Sequence, residues 1–132
     1  MLLVETYLDI SPGKGIGLFA KINIKKGTKY WVRNEVFDKV FSLAELETFN
    51  QLTTEYIKFY GFQEKTFCWY LCGDNGRFTN HSSTPNTKNH FDKAGILQYS
   101  TVTKNVGIGE EILCDYQDIC MTCKNELLFK IY

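Results

Sequence analysis

The sequence has no excess of charge of either sign and no long apolar run. Its 132 residues include 15 Lys and Arg against 15 Asp and Glu, so the formal net charge is zero. A surface that binds nucleic acid broadly normally shows as a basic excess, so we expect no direct nucleic-acid partner, although a local patch stays open. No stretch is long and apolar enough to cross a membrane, and we expect no membrane partner.

Cysteines are few, and no secretory signal is visible. The five cysteines are an odd number at irregular spacing, which argues against a disulfide framework and favours reduced thiols. The first ten residues contain Glu5 and Asp9 and lack the basic start followed by an apolar run of a signal peptide. These features predict a soluble intracellular protein, cytoplasmic by default, with a nuclear or host-delivered location left open.

The apolar content is sufficient for one core. Hydrophobic residues make up 44% of the chain and aromatic residues 15%, and the length is that of one ordinary domain. Short strand-forming segments alternate with turns, and Ser42 with Glu45 forms a capping box ahead of apolar residues at helical spacing that continue to Phe59. The pattern predicts an α+β fold with a β-rich body and one inserted helix at about residues 42–60.

A glycine-rich segment, GKGIG, occupies residues 13–17. It lacks the Gly-Lys-Ser/Thr sequence of a phosphate loop, and no crossover helix follows it. Taken alone, it indicates a tight turn between two strands. The alternative is a loop in which missing Cβ atoms let the backbone approach a ligand closely.

Two further segments carry polar groups that suit a binding site. Residues 77–86 read RFTNHSSTPN, and residues 109–116 read GEEILCDY. Taken alone, the first is typical of a solvated loop with turn residues. The second is typical of a strand with a polar start and a half-buried tyrosine.

The three segments together, in this order, resemble the SET-domain protein-lysine methyltransferases, and in particular their compact bacterial-type or viral-type members. Residues 69–78 (WYLCGDNGRF) resemble the approach to the Asn-His-Ser motif in that family, and the match covers about residues 4–116. The resemblance implies several short sheets and a pseudoknot near the C-terminus, an exception to the rule against threaded connections. Residues 1–117 would be the SET domain, and residues 118–132 a short C-terminal tail that forms a lid or closes the core.

The resemblance also implies the chemistry and the site. The cofactor would be S-adenosyl-L-methionine and the partner a protein or peptide lysine, with histones as one substrate class and the oligomeric state open. Asn80 would bind the amino-acid end of the cofactor, His81 would contribute mainly backbone contacts and not act as a base, and Tyr116 would be catalytic where methyl donor and acceptor meet. The remaining residues that the resemblance places at the cofactor are Lys14, Gly15, Ile16 and Gly17.

Cys114 and Tyr70 are the two residues predicted for the substrate channel. Many family members carry Phe or Tyr where Cys114 stands, and that residue limits how many methyl groups fit. The resemblance therefore predicts that Cys114 permits more than monomethylation. The alternative, a small buried hydrophobe without influence on the product, stays equally open.

No metal is expected, because the sequence departs from the zinc-bearing members of the family. Ser83 stands where many of them have a cysteine, and Cys120 and Cys123 alone cannot form a closed tetrahedral zinc site. Two other functions stay open: an inactive SET-like module that binds a peptide or partner, and a thiol-based metal or redox module. The retained Asn80 and Tyr116 argue against the inactive module.

Overall fold

The computed structural model describes residues 1–122, which form ten short strands, three α-helices and one 3₁₀ helix. This composition confirms the prediction of a β-rich α+β fold. The strands are β1 Thr6–Ser11, β2 Gly15–Ala20, β3 Lys29–Val32, β4 Lys39–Phe41, β5 Phe62–Gln63, β6 Trp69–Leu71, β7 Asn80–His81, β8 Thr87–Phe91, β9 Leu97–Val102 and β10 Leu113–Cys114. The helices are α1 Leu43–Glu47, α2 Gln51–Tyr60, α3 Tyr116–Ile119 and the 3₁₀ helix Asn75–Phe78.

The strands pair into four small sheets. Strands β1 and β2 form an antiparallel hairpin, whose turn contains Gly13 (φ 73°) and Gly15 (φ 80°) in the left-handed region that only glycine adopts freely. Two antiparallel sheets have the strand orders β3-β9-β8 and β4-β6-β5, and β7 pairs with β10 in parallel. Among residues 1–122, none of the helices has the length and apolar composition that spanning a membrane requires.

The inserted helical segment is two helices, which corrects the prediction of one. The capping box is present: the Ser42 side chain accepts from the Glu45 N–H, and the Glu45 carboxylate accepts from the Ser42 N–H. The first helix ends after five residues, because Asn50 caps a second one by accepting from the Thr53 N–H at 2.9 Å. Most of the predicted apolar face is exposed, with Leu52 78% exposed, and Leu46 is its one buried member. Ile57, which was not predicted to lie on that face, is the buried residue of the second helix.

Residues 111–114 lie against both ends of the loop between β7 and β8. On one side, Leu113 and Cys114 pair with Asn80 and His81, and the Ser82 N–H donates to the Cys114 carbonyl at 2.9 Å. On the other side, the Thr87 hydroxyl donates to the Leu113 carbonyl at 2.8 Å. A segment bonded to both ends of one loop lies between them, as in the threaded arrangement that the resemblance implies, and we call residues 111–114 the threaded segment.

The main core is built by side chains from β2, β3, β6 and β9 and from the segments next to them. Its members are mostly aliphatic and aromatic, among them Leu18, Tyr30, Tyr70, Val102 and Ile112. Burial of this apolar surface is the dominant favourable contribution to folding. The core therefore fixes the hairpin and the threaded segment against one another, and with them the residues of the three motifs.

Candidate active site

Tyr116 lies where the threaded segment ends and α3 begins. The Asp115 side chain caps the helix by accepting from the Gln117 N–H at 2.9 Å, and this sets the direction in which Tyr116 leaves β10. The Tyr116 hydroxyl donates to the Thr79 carbonyl at 2.7 Å. Burial raises the pKa of Tyr116, and Cys114 and Glu111 raise it further. The hydroxyl is therefore protonated at neutral pH and suits orientation by hydrogen bonding more than proton abstraction.

His81 supports Tyr116 through its ring. Its Nδ1 accepts from the Tyr116 backbone N–H at 3.1 Å, and the two rings lie 5.5 Å apart between centroids. The His81 carbonyl accepts from the Lys14 ammonium at 2.9 Å. Because the Nδ1 lone pair accepts this backbone N–H, the geometry suits the ring to positioning Tyr116.

The Asn80 side chain joins all three sequence motifs. Its Nδ2 donates to the Ile16 carbonyl at 3.0 Å and to the Glu111 Oε1 at 2.9 Å. The structure thus brings together a residue of the glycine segment, one of the Asn-His-Ser segment and one of the tyrosine segment.

Glu111 is a functional candidate that the sequence analysis missed. Besides Asn80, its carboxylate accepts from the Ser11 hydroxyl at 2.8 Å. Gly17 is buried beneath it, and a Cβ built on Gly17 would lie 2.3 Å from the Glu111 Oε1. Gly17 therefore has a packing reason to be glycine, whereas its contact with a cofactor stays a prediction. The adjacent pair Glu110 and Glu111 ahead of an apolar strand was the only available signal.

Asn86 was also missed, and it holds the threaded segment in place. This buried side chain donates to the Glu111 carbonyl and accepts from the Leu113 N–H, both at 2.8 Å. One amide thereby satisfies a backbone acceptor and a backbone donor, as a neighbouring strand would. An asparagine after Pro85 in a turn-rich run gives no sequence signal for this contact.

Two cavities meet at Tyr116. An outer groove is lined by Lys14, Gly15, Ile16, Phe59, Tyr60, Arg77, Phe78, Asn80 and Tyr116. A central cavity is lined by residues of the sheets and of α3, including Tyr30, Trp31, Phe62, Leu97, Cys114 and Tyr116. Tyr60, Arg77 and Tyr116 line both cavities, so these side chains form the boundary between them.

Of the two residues predicted for the channel, Cys114 lines the central cavity and Tyr70 does not. Tyr70 is fully buried in the core, where its hydroxyl donates to the Asp38 carboxylate and accepts from the Asn34 N–H at 3.2 Å. Asp38 also accepts from the Gly73 N–H at 2.8 Å. The geometry therefore gives Tyr70 a structural role that links β6 to the segment between β3 and β4.

Arg77 belongs to the Asn-His-Ser segment, but the sequence analysis did not predict it as a site residue. Its guanidinium carbon lies 5.1 Å from the ring centroid of Phe78 and 5.8 Å from that of Tyr60. Its buried Nε has no hydrogen-bond partner among the described residues. A cation at the boundary of both cavities is a candidate for binding an anionic group there.

Cys120 differs from the expectation of reduced thiols. Cys120 is disulfide-bonded, whereas Cys68, Cys72 and Cys114 form no disulfide. Within residues 1–122, no three His, Cys, Asp or Glu side chains are grouped as metal ligands. Cys123 and most of the predicted tail lie outside the described residues.

Solved structures of other proteins share this fold. A chain from a humanized mutant of the Chaetomium thermophilum Polycomb Repressive Complex 2, bound to the inhibitor GSK126, matches 90% of this chain with a TM-score of 0.66 and 20% identity. This chain spans only 16% of that one. A Plasmodium falciparum protein, named as a candidate histone methyltransferase, matches 87% of this chain and 95% of its own length, with a TM-score of 0.57 and 21% identity.

The sequence comparisons identify the family. No curated protein matches this chain at a significant level. The model of the SET domain matches residues 15–117, which include all of the Asn-His-Ser and tyrosine segments and the end of the glycine segment. This match covers well over half of the chain and agrees with the threaded arrangement around Asn80. The chain therefore belongs to the SET-domain family.

Proposed function

We propose that this chain is a protein-lysine N-methyltransferase that uses S-adenosyl-L-methionine. The observation that carries the proposal is the position of Tyr116 on the boundary between an outer groove and a central cavity. A transfer reaction needs two compounds that approach one point from different sides. The outer groove would take the cofactor and the central cavity the lysine side chain.

The residues of the outer groove fit the cofactor. The Lys14 ammonium and the Arg77 guanidinium supply positive charge for a carboxylate, and the Asn80 side chain lies beside them on the same groove. Gly15 adds no side chain to the wall, and Phe59 and Phe78 supply aromatic surface of the kind that a purine ring packs against. The bound cofactor would supply an already activated methyl group on its sulfonium.

The lysine amine must be neutral to accept the methyl group. With an ordinary pKa of about 10.4, removing its proton at pH 7 costs about 4.6 kcal/mol. The central cavity is lined in part by Trp31, Phe62 and Leu97, and such an apolar lining lowers the pKa of an amine by desolvation. No strong base is then required at Tyr116.

The Tyr116 hydroxyl would orient the amine. Because its proton is donated to the Thr79 carbonyl, the phenolic oxygen acts toward the substrate as an acceptor for an amine N–H. That contact would aim the nitrogen lone pair at the outer groove. Alignment of this kind can supply a large part of the rate enhancement in a bimolecular transfer.

The substitution Tyr116→Phe tests the proposal. We expect the fold and cofactor binding to be retained, because only one hydroxyl is removed, and turnover to fall by about two orders of magnitude, as for the loss of one oriented hydrogen bond in other active sites. Transfer of labelled methyl groups to histones and to a peptide array measures turnover and identifies the substrate. Tyr56→Phe, on the exposed side of α2, is the matched control. Turnover near the wild-type level in Tyr116→Phe would contradict a catalytic role for Tyr116.

The alternative of an inactive SET-like module is tested separately. Calorimetry with S-adenosyl-L-methionine should show one binding site per chain, since Lys14, Gly15 and Asn80 are retained in the outer groove. Absence of binding by a folded protein would favour the inactive module. Binding without transfer to any peptide would leave the cofactor site intact and contradict the proposed reaction.

A further inference from the structure

The outer face of the β3-β9-β8 sheet carries a row of lysines. Lys29 on β3 pairs with Thr101 on β9, and Thr101 pairs with Lys88 on β8. Residues paired across antiparallel strands project from the same face, and two strand spacings place the Cα atoms of Lys29 and Lys88 about 10 Å apart. Both lysines are exposed, whereas Asn89 and Ser100, from the opposite face of the same strands, line the central cavity.

Tyr99 and His90 complete this face. The Lys29 ammonium lies 4.1 Å from the ring centroid of Tyr99, and the His90 ring stacks on Tyr99 at 4.4 Å with an interplanar angle of 10°. His90 Nε2 also lies 2.9 Å from the Thr101 hydroxyl. The Tyr99 ring thus packs against its own neighbours, Lys29 and His90, within this surface.

The adjoining turns extend the positive charge. Lys25 and Lys26 precede β3, Lys104 follows β9, and the Lys26 N–H donates to the Asn105 side chain at 2.9 Å, which holds the two turns together. Residues 24–32, 86–91 and 97–106 contain no Asp or Glu. We call the five exposed lysines of these segments the lysine face: Lys25, Lys26, Lys29, Lys88 and Lys104.

None of these five lysines forms an ion pair with a described residue. A chain with zero net charge therefore carries a local surface of one sign, since the fold brings together lysines from three separate segments. Such a surface raises the local concentration of anionic partners.

We propose that the lysine face binds the sugar–phosphate backbone of nucleic acid. Protein–protein interfaces draw most of their affinity from buried aromatic or arginine side chains in pockets. On this face Tyr99 packs against His90 and Lys29, and the three segments that form the face contain no arginine. Lysines that each neutralise a phosphate gain affinity by counterion release and need no pocket. Thr101, His90 and Asn105 add groups that can hydrogen-bond to phosphate oxygens.

Binding on this face is compatible with the proposed reaction but does not depend on it. The central cavity lies against the opposite face of the same sheet, so a nucleic acid on the lysine face leaves the cavity open. The chain would thereby be held on substrates that are themselves complexes of protein and nucleic acid. Substitutions on the lysine face should therefore leave the rate of methyl transfer to a short free peptide unchanged.

Fluorescence anisotropy of the full chain with a labelled DNA duplex of about 20 base pairs tests the proposal, with salt varied between about 50 and 200 mM. The logarithm of the binding constant should fall with the logarithm of salt with a slope of about −3 to −5, as for three to five phosphate contacts. The double substitution Lys29→Gln with Lys88→Gln should reduce the magnitude of that slope by about 2. It should also weaken binding at least about tenfold at 0.1 M salt.

A matched control removes the same charge elsewhere. Lys39→Gln with Lys58→Gln changes exposed lysines of β4 and α2 and should leave the slope unchanged. Unaltered melting temperatures and peptide methylation would show that the variants fold. The proposal is overturned if the duplex does not bind at low salt, or if both pairs of substitutions weaken binding equally. Equally tight binding of polyglutamate would overturn it in favour of an acidic polypeptide.

Discussion

The contact between Gly17 and Glu111 permits a quantitative test of how the three motifs are held together. In Gly17→Ala, the new Cβ would lie 2.3 Å from the Glu111 Oε1 and 3.0 Å from the Ser11 Cβ. Gly17 does not have a positive φ, so the substitution adds no backbone strain of that kind. The Glu111 carboxylate must therefore move away from its present position.

That movement disrupts the two hydrogen bonds of the carboxylate, from Ser11 at 2.8 Å and from Asn80 at 2.9 Å. Each bond to a charged group contributes about 1.5–3 kcal/mol. Complete loss of both therefore sets a ceiling of about 6 kcal/mol, and alanine returns about 0.4–1 kcal/mol by restricting the unfolded chain. We expect the free energy of unfolding to fall by about 2–4 kcal/mol.

Urea unfolding followed by tryptophan fluorescence measures this change, and a double-mutant cycle identifies its cause. In a Glu111→Ala background the clash with Oε1 is absent, so Gly17→Ala should cost less than about 1 kcal/mol. Gly13→Ala is the control, because Gly13 has a φ of 73° and no atom within 4 Å of its added Cβ. Its cost, about 1–2 kcal/mol of backbone strain, should be the same in both backgrounds. If the costs of Gly17→Ala and Glu111→Ala add within about 0.5 kcal/mol, the proposed contact is refuted.

Two further predictions concern alkaline pH and the methylation product. Burial raises the pKa of Cys72 to about 12 and raises those of Tyr30, Tyr70 and Tyr116 above 10.0. A group whose pKa is higher in the folded than in the unfolded protein contributes stability below its unfolded pKa, and this contribution is lost as the pH rises toward its folded pKa. Urea unfolding should therefore show a loss of at least about 2 kcal/mol in the free energy of unfolding between pH 8 and pH 10.5. A constant free energy of unfolding over this range would contradict the prediction. We also expect di- or trimethyl lysine after long incubation, because the Cys114 thiol in the central cavity is smaller than an aromatic ring; mass spectrometry that finds monomethyl lysine alone would contradict it.

Local sequence signals predicted where some elements begin but not where they end. The capping box at Ser42 starts a helix as expected. The sequence periodicity continues through residues 48–50, but Asn50 competes as a second N-cap and interrupts the helix. The spacing of the apolar residues could not reveal this break, because it is the same, three or four residues, on both sides of residues 48–50.

Sequence motifs predicted Lys14, Gly15, Ile16, Asn80 and Tyr116, all of which line the outer groove. They missed Glu111 and Asn86, whose roles depend on hydrogen bonds to segments distant in the chain. The structure does not support the prediction that Tyr70 lines the substrate channel, again because its hydrogen-bond partners are distant in sequence. A tyrosine in an apolar strand is compatible with a channel or with a core, and the buried Asp38 that accepts its hydroxyl is remote in sequence.

The sequence by itself determined the β-rich fold and the three motifs, because turn residues, strand propensities and short polar segments act over a few neighbours. Tertiary structure alone decided which of these residues touch. The parallel pairing of β7 with β10 brings Asn80 and Tyr116 into one site through contacts between segments some thirty residues apart. Net charge, likewise, is a sum over the chain, whereas an electrostatic surface depends on where each charge lies. The β3-β9-β8 sheet brings lysines from three segments together on one surface, and these segments contain no Asp or Glu.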